Sequence, residues 1–242
     1  MRGHVRRALA VCAIALAAAL LVVGGAFGGE PVGVDDQVVD ISKQLNDMQK
    51  KLDELRSKGR TARQGKLAAD AECGFGAPSQ VFRAWDDDAE YSLIPQGDLA
   101  NTDGWTFKNV AVAPEADPFG GGASLFFAKG DSQAVTPVMC VNLEHPTLRM
   151  FLADRGGNGK AHLEVKVLYE GLDGKAHDLT VARLKVGEDW QPSVVVPIGA
   201  NVLSVASANG WTPVAFELKV HGLQKGETFS VGGIYVDPCQ SR

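Results

Sequence analysis

The stretch AVTPVMCVNLEHPTLRMFL, residues 134–152, decides the fold. It reads as two strands, 135–143 and 147–152, separated by the short turn Glu144-His145-Pro146. Apolar runs this short, rich in β-branched residues and bounded by turn formers, are strands rather than helices. The same grammar continues on both sides. Leu163, Val165, Val167 and Tyr169 alternate with Glu164, Lys166 and Leu168; Val214, Phe216, Leu218 and Val220 alternate with Ala215, Glu217, Lys219 and His221. Each reads as a strand with one buried face.

Working outward, further strands are expected at 81–85, 91–94, 105–113, 125–128, 176–186, 194–198, 202–207 and 229–236. Asp86-Asp87-Asp88 divides the first two. Lys129-Gly130-Asp131 is expected to join 125–128 to 135–143 as a pair, and Leu172-Asp173-Gly174 to turn the chain into 176–186. The segment 114–122 is a Pro/Gly-rich loop. About eleven strands without a clear helix, in a chain with 28 glycines and 11 prolines, make the fold all-β. The expected architecture is a two-sheet antiparallel β-sandwich, or jelly roll, over residues 73–242. A body of that size buries roughly 70% of its unfolded surface.

Upstream the composition changes. Arg2, Arg6 and Arg7 precede an uncharged run, 8–29, and Asp35 and Asp36 follow it. That asymmetry places the body outside the membrane. The run is long enough to span a bilayer as a signal-anchor helix, while Gly24-Gly25-Ala26 offers a cleavable signal peptide as the alternative. Residues 1–30 are therefore a signal-anchor or signal peptide, and the product is either a single-pass membrane protein or a secreted one. In residues 31–58, Val34, Val38, Ile41, Leu45, Met48, Leu52 and Leu55 repeat at spacings of four and three. This heptad seam predicts a short coiled-coil stalk and a homo-oligomer, against the plainer reading of one amphipathic helix on the sandwich. Gly59 ends it, and 59–72 is a basic linker.

The formal charge of −5 is spread along the chain, which argues against a nucleic-acid partner. Catalytic patterns are missing at the level of motif. His145, His162, His177 and His221 lack metalloprotease spacing and read as surface or turn residues, no serine sits in a nucleophile elbow, and 156–160 reads as a hairpin turn. Asp86-Asp87-Asp88 reads as a solvated turn, with a cation site as the sharper alternative. Cys73, Cys140 and Cys239 lack zinc spacing. In an exported protein they predict one disulfide, with Cys73–Cys140 and Cys73–Cys239 both open. No cofactor or metal is expected, and the chain reads as a non-enzyme.

Short pieces in order carry a resemblance: Phe82-x-x-Trp85-x-Asp87, Tyr91-x-Leu93-x-Pro95-x-Gly97-Asp98, Gly104-Trp105, Ser124-Leu125 and Ile234-Tyr235-Val236-Asp237-Pro238. They resemble exported bacterial sandwiches of the galactose-binding-like, carbohydrate-module jelly-roll type, over the last two thirds of the chain. The resemblance implies glycan binding, the pairing Cys73–Cys140 and, in many members, a structural calcium held by acids near the first strand and on the last. Ala100 and Gly232-Gly233 depart from that acidic pattern.

The functional expectation is a non-catalytic extracytoplasmic module for a cell-envelope glycan or protein. The alternative is a scaffolding ectodomain clustered by its stalk. Trp85, Trp105, Trp190 and Trp211 all flank loops or strand starts, where a ring either stacks on a sugar face or simply seals an end of the core; Trp105 and Trp211 are the ring candidates for the site. Arg149, placed on the opposite strand face from Leu148 and Met150, is the polar candidate, with a plain solvent-facing residue as the alternative.

Overall fold

The structure is a computed structural model, and it describes Lys50 and residues 73–114, 118–119, 122–156, 159–207 and 209–237. The apolar run, the heptad seam, the basic linker and Cys239 lie outside the described residues. Among those described, no helix is long and apolar enough to cross a membrane.

Two antiparallel sheets pack face to face. One has seven strands: β3 (Val110–Pro114), β4 (Ala123–Phe127), β13 (Thr228–Asp237), β7 (Thr147–Arg155) and β10 (Gln191–Pro192) in spatial order. The short β1 (Ser92–Leu93) also pairs with β13, and β11 (Val196–Pro197) with β7. The other has six: β2 (Thr106–Lys108), β5 (Gln133–Val135), β12 (Thr212–His221), β8 (His162–Glu170) and β9 (Ala176–Leu184), with β6 (Met139–Val141) also on β12. Most successive strands change sheet, as in a jelly roll. The all-β sandwich expected from the sequence is the fold observed.

The core lies between the sheets. The alternating residues of β8 and β12 face it as expected: Leu163, Val165 and Val167 meet Val214, Phe216, Leu218 and Val220, all buried. Leu148, Met150 and Leu152 of β7 close it from the other side with Leu125, Phe127, Val231, Ile234 and Val236. Leu172-Asp173-Gly174 turns β8 into β9 as expected, and β8 and β9 are hydrogen-bonded neighbours. Cys73 is bonded to Cys140, closing 67 residues of chain. By loop entropy that link contributes about 4 kcal/mol.

Several strand assignments change. The turn at 144–146 does not make a hairpin, because β6 and β7 belong to different sheets and the chain crosses the sandwich there. The same holds for 129–131, where β4 and β5 part company, and across 156–160, between β7 and β8. A turn-forming cluster marks the end of a strand but does not say which sheet takes the next one. The expected strand 105–113 breaks at Asn109, whose left-handed φ of 54° sends β2 and β3 to opposite sheets. Asparagine tolerates that region better than most residues. The expected strand at 81–85 is instead a 3-10 turn, Arg83–Trp85, and that at 202–207 falls in a second one, Ala200–Ala206.

Candidate functional site

β7 is buried along both faces from Thr147 to Asp154. Leu148, Met150 and Leu152 point into the core, so the pleat turns Arg149 and Phe151 outward. That outer face is covered by chain from residues 79–91. A bridge between Ser79 and Tyr91 closes this segment, and its 3-10 turn lays Phe82 on the sheet. Phe82, Tyr91 and Phe151 form a second buried cluster, with Trp190 and Tyr235 packed against it.

The rings centre on Phe151. Phe82 lies 4.9 Å away, Trp85 5.2 Å and Phe119 5.1 Å, with Tyr235 at 6.5 Å. Trp85 and Phe119 rise from Phe151 at 56° and 84°, so both stand steeply on it. They are also open to solvent, Trp85 at 36% and Phe119 at 57% exposure. A buried ring floor carrying exposed ring walls is the geometry in which a flat apolar face is gripped.

Arg149 anchors the covering segment. Its Nη1 pairs with Asp87 Oδ2, its Nε donates to the Ser193 carbonyl at 2.9 Å, and its guanidinium lies 4.4 Å from the Phe82 ring centre. Asp87 also accepts from the Tyr91 hydroxyl at 2.8 Å and from the Ala89 N–H at 3.0 Å. Burial, reinforced by Asp87, pushes the Tyr91 phenol well above its usual range. The acidic turn is therefore not simply solvated, because its middle residue is the counter-ion of a buried arginine. Arg149, for which open solvent was the plainer expectation, is only 9% exposed. Burial of β7 on both faces forces it to find a charge partner.

The ring candidates Trp105 and Trp211 go elsewhere. Trp105 is buried in the main core, stacked on Phe107 with Nε1 donating to the Gln96 carbonyl, and offers no free face. Trp211 is half-buried ahead of β12, 5.8 Å from the His145 ring, which in turn lies 4.5 Å from Phe75. Trp105, Arg149 and Trp211 thus occupy three separate places. His145, read as a surface or turn residue, closes a turn onto the Asn142 carbonyl but is buried, and that burial lowers its pKa.

The calcium implied by the resemblance fails on geometry. A Cβ built on Gly232 would stand 3.2 Å from Pro118 Cδ and 3.5 Å from Trp190 Cη2. Gly233 has φ 50° at the bulge in β13, and its Cβ would strike the Tyr235 ring at 2.8 Å. Neither position carries a carboxylate, a side chain at either would crowd Pro118 or Tyr235, and Asp87 is already engaged by Arg149. These residues do not fit a calcium ion.

The outer face of the six-stranded sheet is different in kind. Glu164 pairs with Arg183 at 3.1 Å, Lys166 with Asp178 at 3.5 Å, and Gln133 donates to Glu217 at 2.9 Å. His162 and His221 stack at 5.3 Å beside them. Burial tends to raise the Glu164 pKa, but the Arg183 hydrogen bond and the His221, Arg183 and Lys166 charges together lower it.

No family model matches the chain, and no curated protein matches it. Solved structures similar to it include the CBM22-1 xylan-binding domain of Paenibacillus barcinonensis Xyn10C. That likeness has 15% identity and a TM-score of 0.40, covering 59% of this chain and 90% of that one. The CBM22-1–GH10 modules of Clostridium thermocellum xylanase 10B, complexed with xylohexaose, give 8% and 0.43, with 62% and 29% covered. A family 6 carbohydrate-binding module of Clostridium cellulolyticum, complexed with xylose, gives 11% and 0.35, with 55% and 89% covered. These are sandwiches of the type that the sequence resembles. The likeness is loose, and the fold rests on the strand pairing itself.

Proposed function

We propose that the chain is a non-catalytic extracytoplasmic binding module that holds a cell-envelope glycan on the outer face of its seven-stranded sheet. The observation that carries this reading is the gathering of Trp85 and Phe119, both exposed, on the buried ring of Phe151. Pyranose rings present C–H faces that pack on such surfaces, and the cost of exposing large rings is recovered when they do. Asp87, beside Trp85 in the chain, is engaged by the Ala89 N–H, the Tyr91 hydroxyl and Arg149, a structural role that supports binding without catalysis. The arginines ahead of the apolar run 8–29 support an extracytoplasmic setting, and the heptad seam supports clustering, which raises weak single-site binding through effective concentration.

The test is affinity electrophoresis of the full-length chain against envelope polysaccharides, β-glucans and xylans. Wild type should be retarded by at least one, and Trp85→Ala or Phe119→Ala should abolish retardation while the circular dichroism spectrum stays native. If none of the polysaccharides retards the wild type, the scaffolding alternative replaces this reading.

A further inference from the structure

At the end of the sandwich where β7 runs out, an acidic side chain is turned into the interior. Leu148, Met150 and Leu152 set the inward face of β7, and Asp154 is the next residue in that alternation. It stands opposite Phe229, a core residue of β13. Asp154 is 2% exposed, and its Oδ1 has no hydrogen-bond partner. A buried carboxyl oxygen without a partner is uncommon and costly if the group is charged.

Its surroundings make that charge harder still to hold. Glu227 precedes Phe229 by two residues, so it lies on the same side of β13, diagonal to Asp154, and is itself only 7% exposed. Its Oε2 accepts from the Gln224 N–H at 2.7 Å, which closes the turn 224–227. On the other flank the Asp154 N–H donates to the Gly187 carbonyl at 2.8 Å, which brings up the loop 185–189 with Glu188. The charges acting on Asp154 thus come from two acids, Glu227 and Glu188. The opposing sheet closes this end with Ala161, Leu163 and Val220, which bring none. The basic residues nearby in the chain, Arg155, Lys160, Lys185 and Lys225, are all exposed.

We infer that Asp154 is a proton-operated latch: neutral, it lets the turn 224–227 and the loop 185–189 close over it; ionised, it is repelled by Glu227 and Glu188, draws water, and opens this end of the sandwich. Burial first, then the Glu227 and Glu188 charges, raises the Asp154 pKa above its ordinary 3.8. A proton that the folded chain keeps and the unfolded chain releases stabilises in acid, and that gain is lost as pH rises through the folded value. Both closing segments have room to part, since a Cβ added to Gly187 or to Gly226 would meet nothing within 4 Å.

Hydrogen exchange of the full-length chain between pH 4 and pH 8, corrected for the intrinsic pH dependence of exchange, is the test. Protection of segments 185–189 and 222–228 should fall about tenfold as pH rises. Asp154→Asn, a neutral side chain of the same shape, should keep both segments protected at every pH. Glu227→Gln, which leaves Asp154 in place and removes one repelling charge, should shrink the fall. Equal protection of wild type at the two ends of the range, or a fall of full size in either variant, overturns the latch.

Discussion

The two outer faces of this sandwich handle burial in opposite ways. The six-stranded face meets water directly, with cross-strand charge pairs such as Glu164–Arg183 and Lys166–Asp178. The seven-stranded face is roofed by residues 79–91, and Arg149, a charged strand residue beneath that roof, is sealed against Asp87 and Phe82. The first arrangement costs little to form and little to lose. The second is interdependent, because ring, guanidinium and carboxylate each need the others to remain buried. Trp85, at the edge of that roof, already packs on the buried Phe151 ring, which suits it to meet a ligand without a large ordering cost.

The sharpest way to break this contrast is to remove one arginine from each face. Arg149→Met leaves Asp87 without its counter-ion under the roof, and breaking a buried pair costs about 3–5 kcal/mol. Arg183→Ala removes an exposed partner of Glu164, and pairs of that kind contribute about 0–1 kcal/mol. Urea denaturation of both variants should therefore give a large shift for the first and almost none for the second. Equal shifts would mean that the roof is not interdependent.

Acid and base should separate the faces next. Tyr91 has its folded pKa raised above the unfolded value of 10.0, so the folded state keeps a proton that the unfolded state releases. Stability is then lost as pH rises past 10. Glu164 is lowered from 4.5, so its contribution is present above that pH and is lost as pH falls below it. Melting temperatures across the pH range should show Tyr91→Phe blunting the alkaline fall and Glu164→Gln blunting the acid fall. The reverse assignment would contradict the burial of the two faces. The smallest effect is expected from metal removal. Because glycines stand at 232 and 233 in place of ligating carboxylates, EDTA followed by added calcium should leave the melting temperature unchanged. A calcium-dependent rise would place a site that these residues do not provide.

What the sequence could and could not show follows the same contrast. β8 and β12 were legible because one of their faces is wet, and polar residues at every second position mark it. β7 shows no such alternation, since both faces are covered, and Arg149 in its middle gives no sign of whether it meets water or Asp87. The ring site was not legible for a different reason. Phe82, Trp85, Phe119, Phe151, Trp190 and Tyr235 are scattered over more than half the chain, and only the strand order β7-β13-β4 brings them together. The available signal was local: Phe82, Trp85 and Tyr91 bracketing Asp87, a spacing in which an acid beside three rings has to be paired. Trp105 misled because a tryptophan at the start of a strand looks the same whether it caps the core or faces solvent.

Oxidative footprinting of the full-length chain, with and without the polysaccharide that retards it best, tests the central claim most directly. The reading predicts that bound glycan protects Trp85, Phe119 and Trp190 from hydroxyl radicals while His162 and His221 on the opposite face keep their reactivity. Protection of the histidine face, with Trp85 and Phe119 still open, would contradict it.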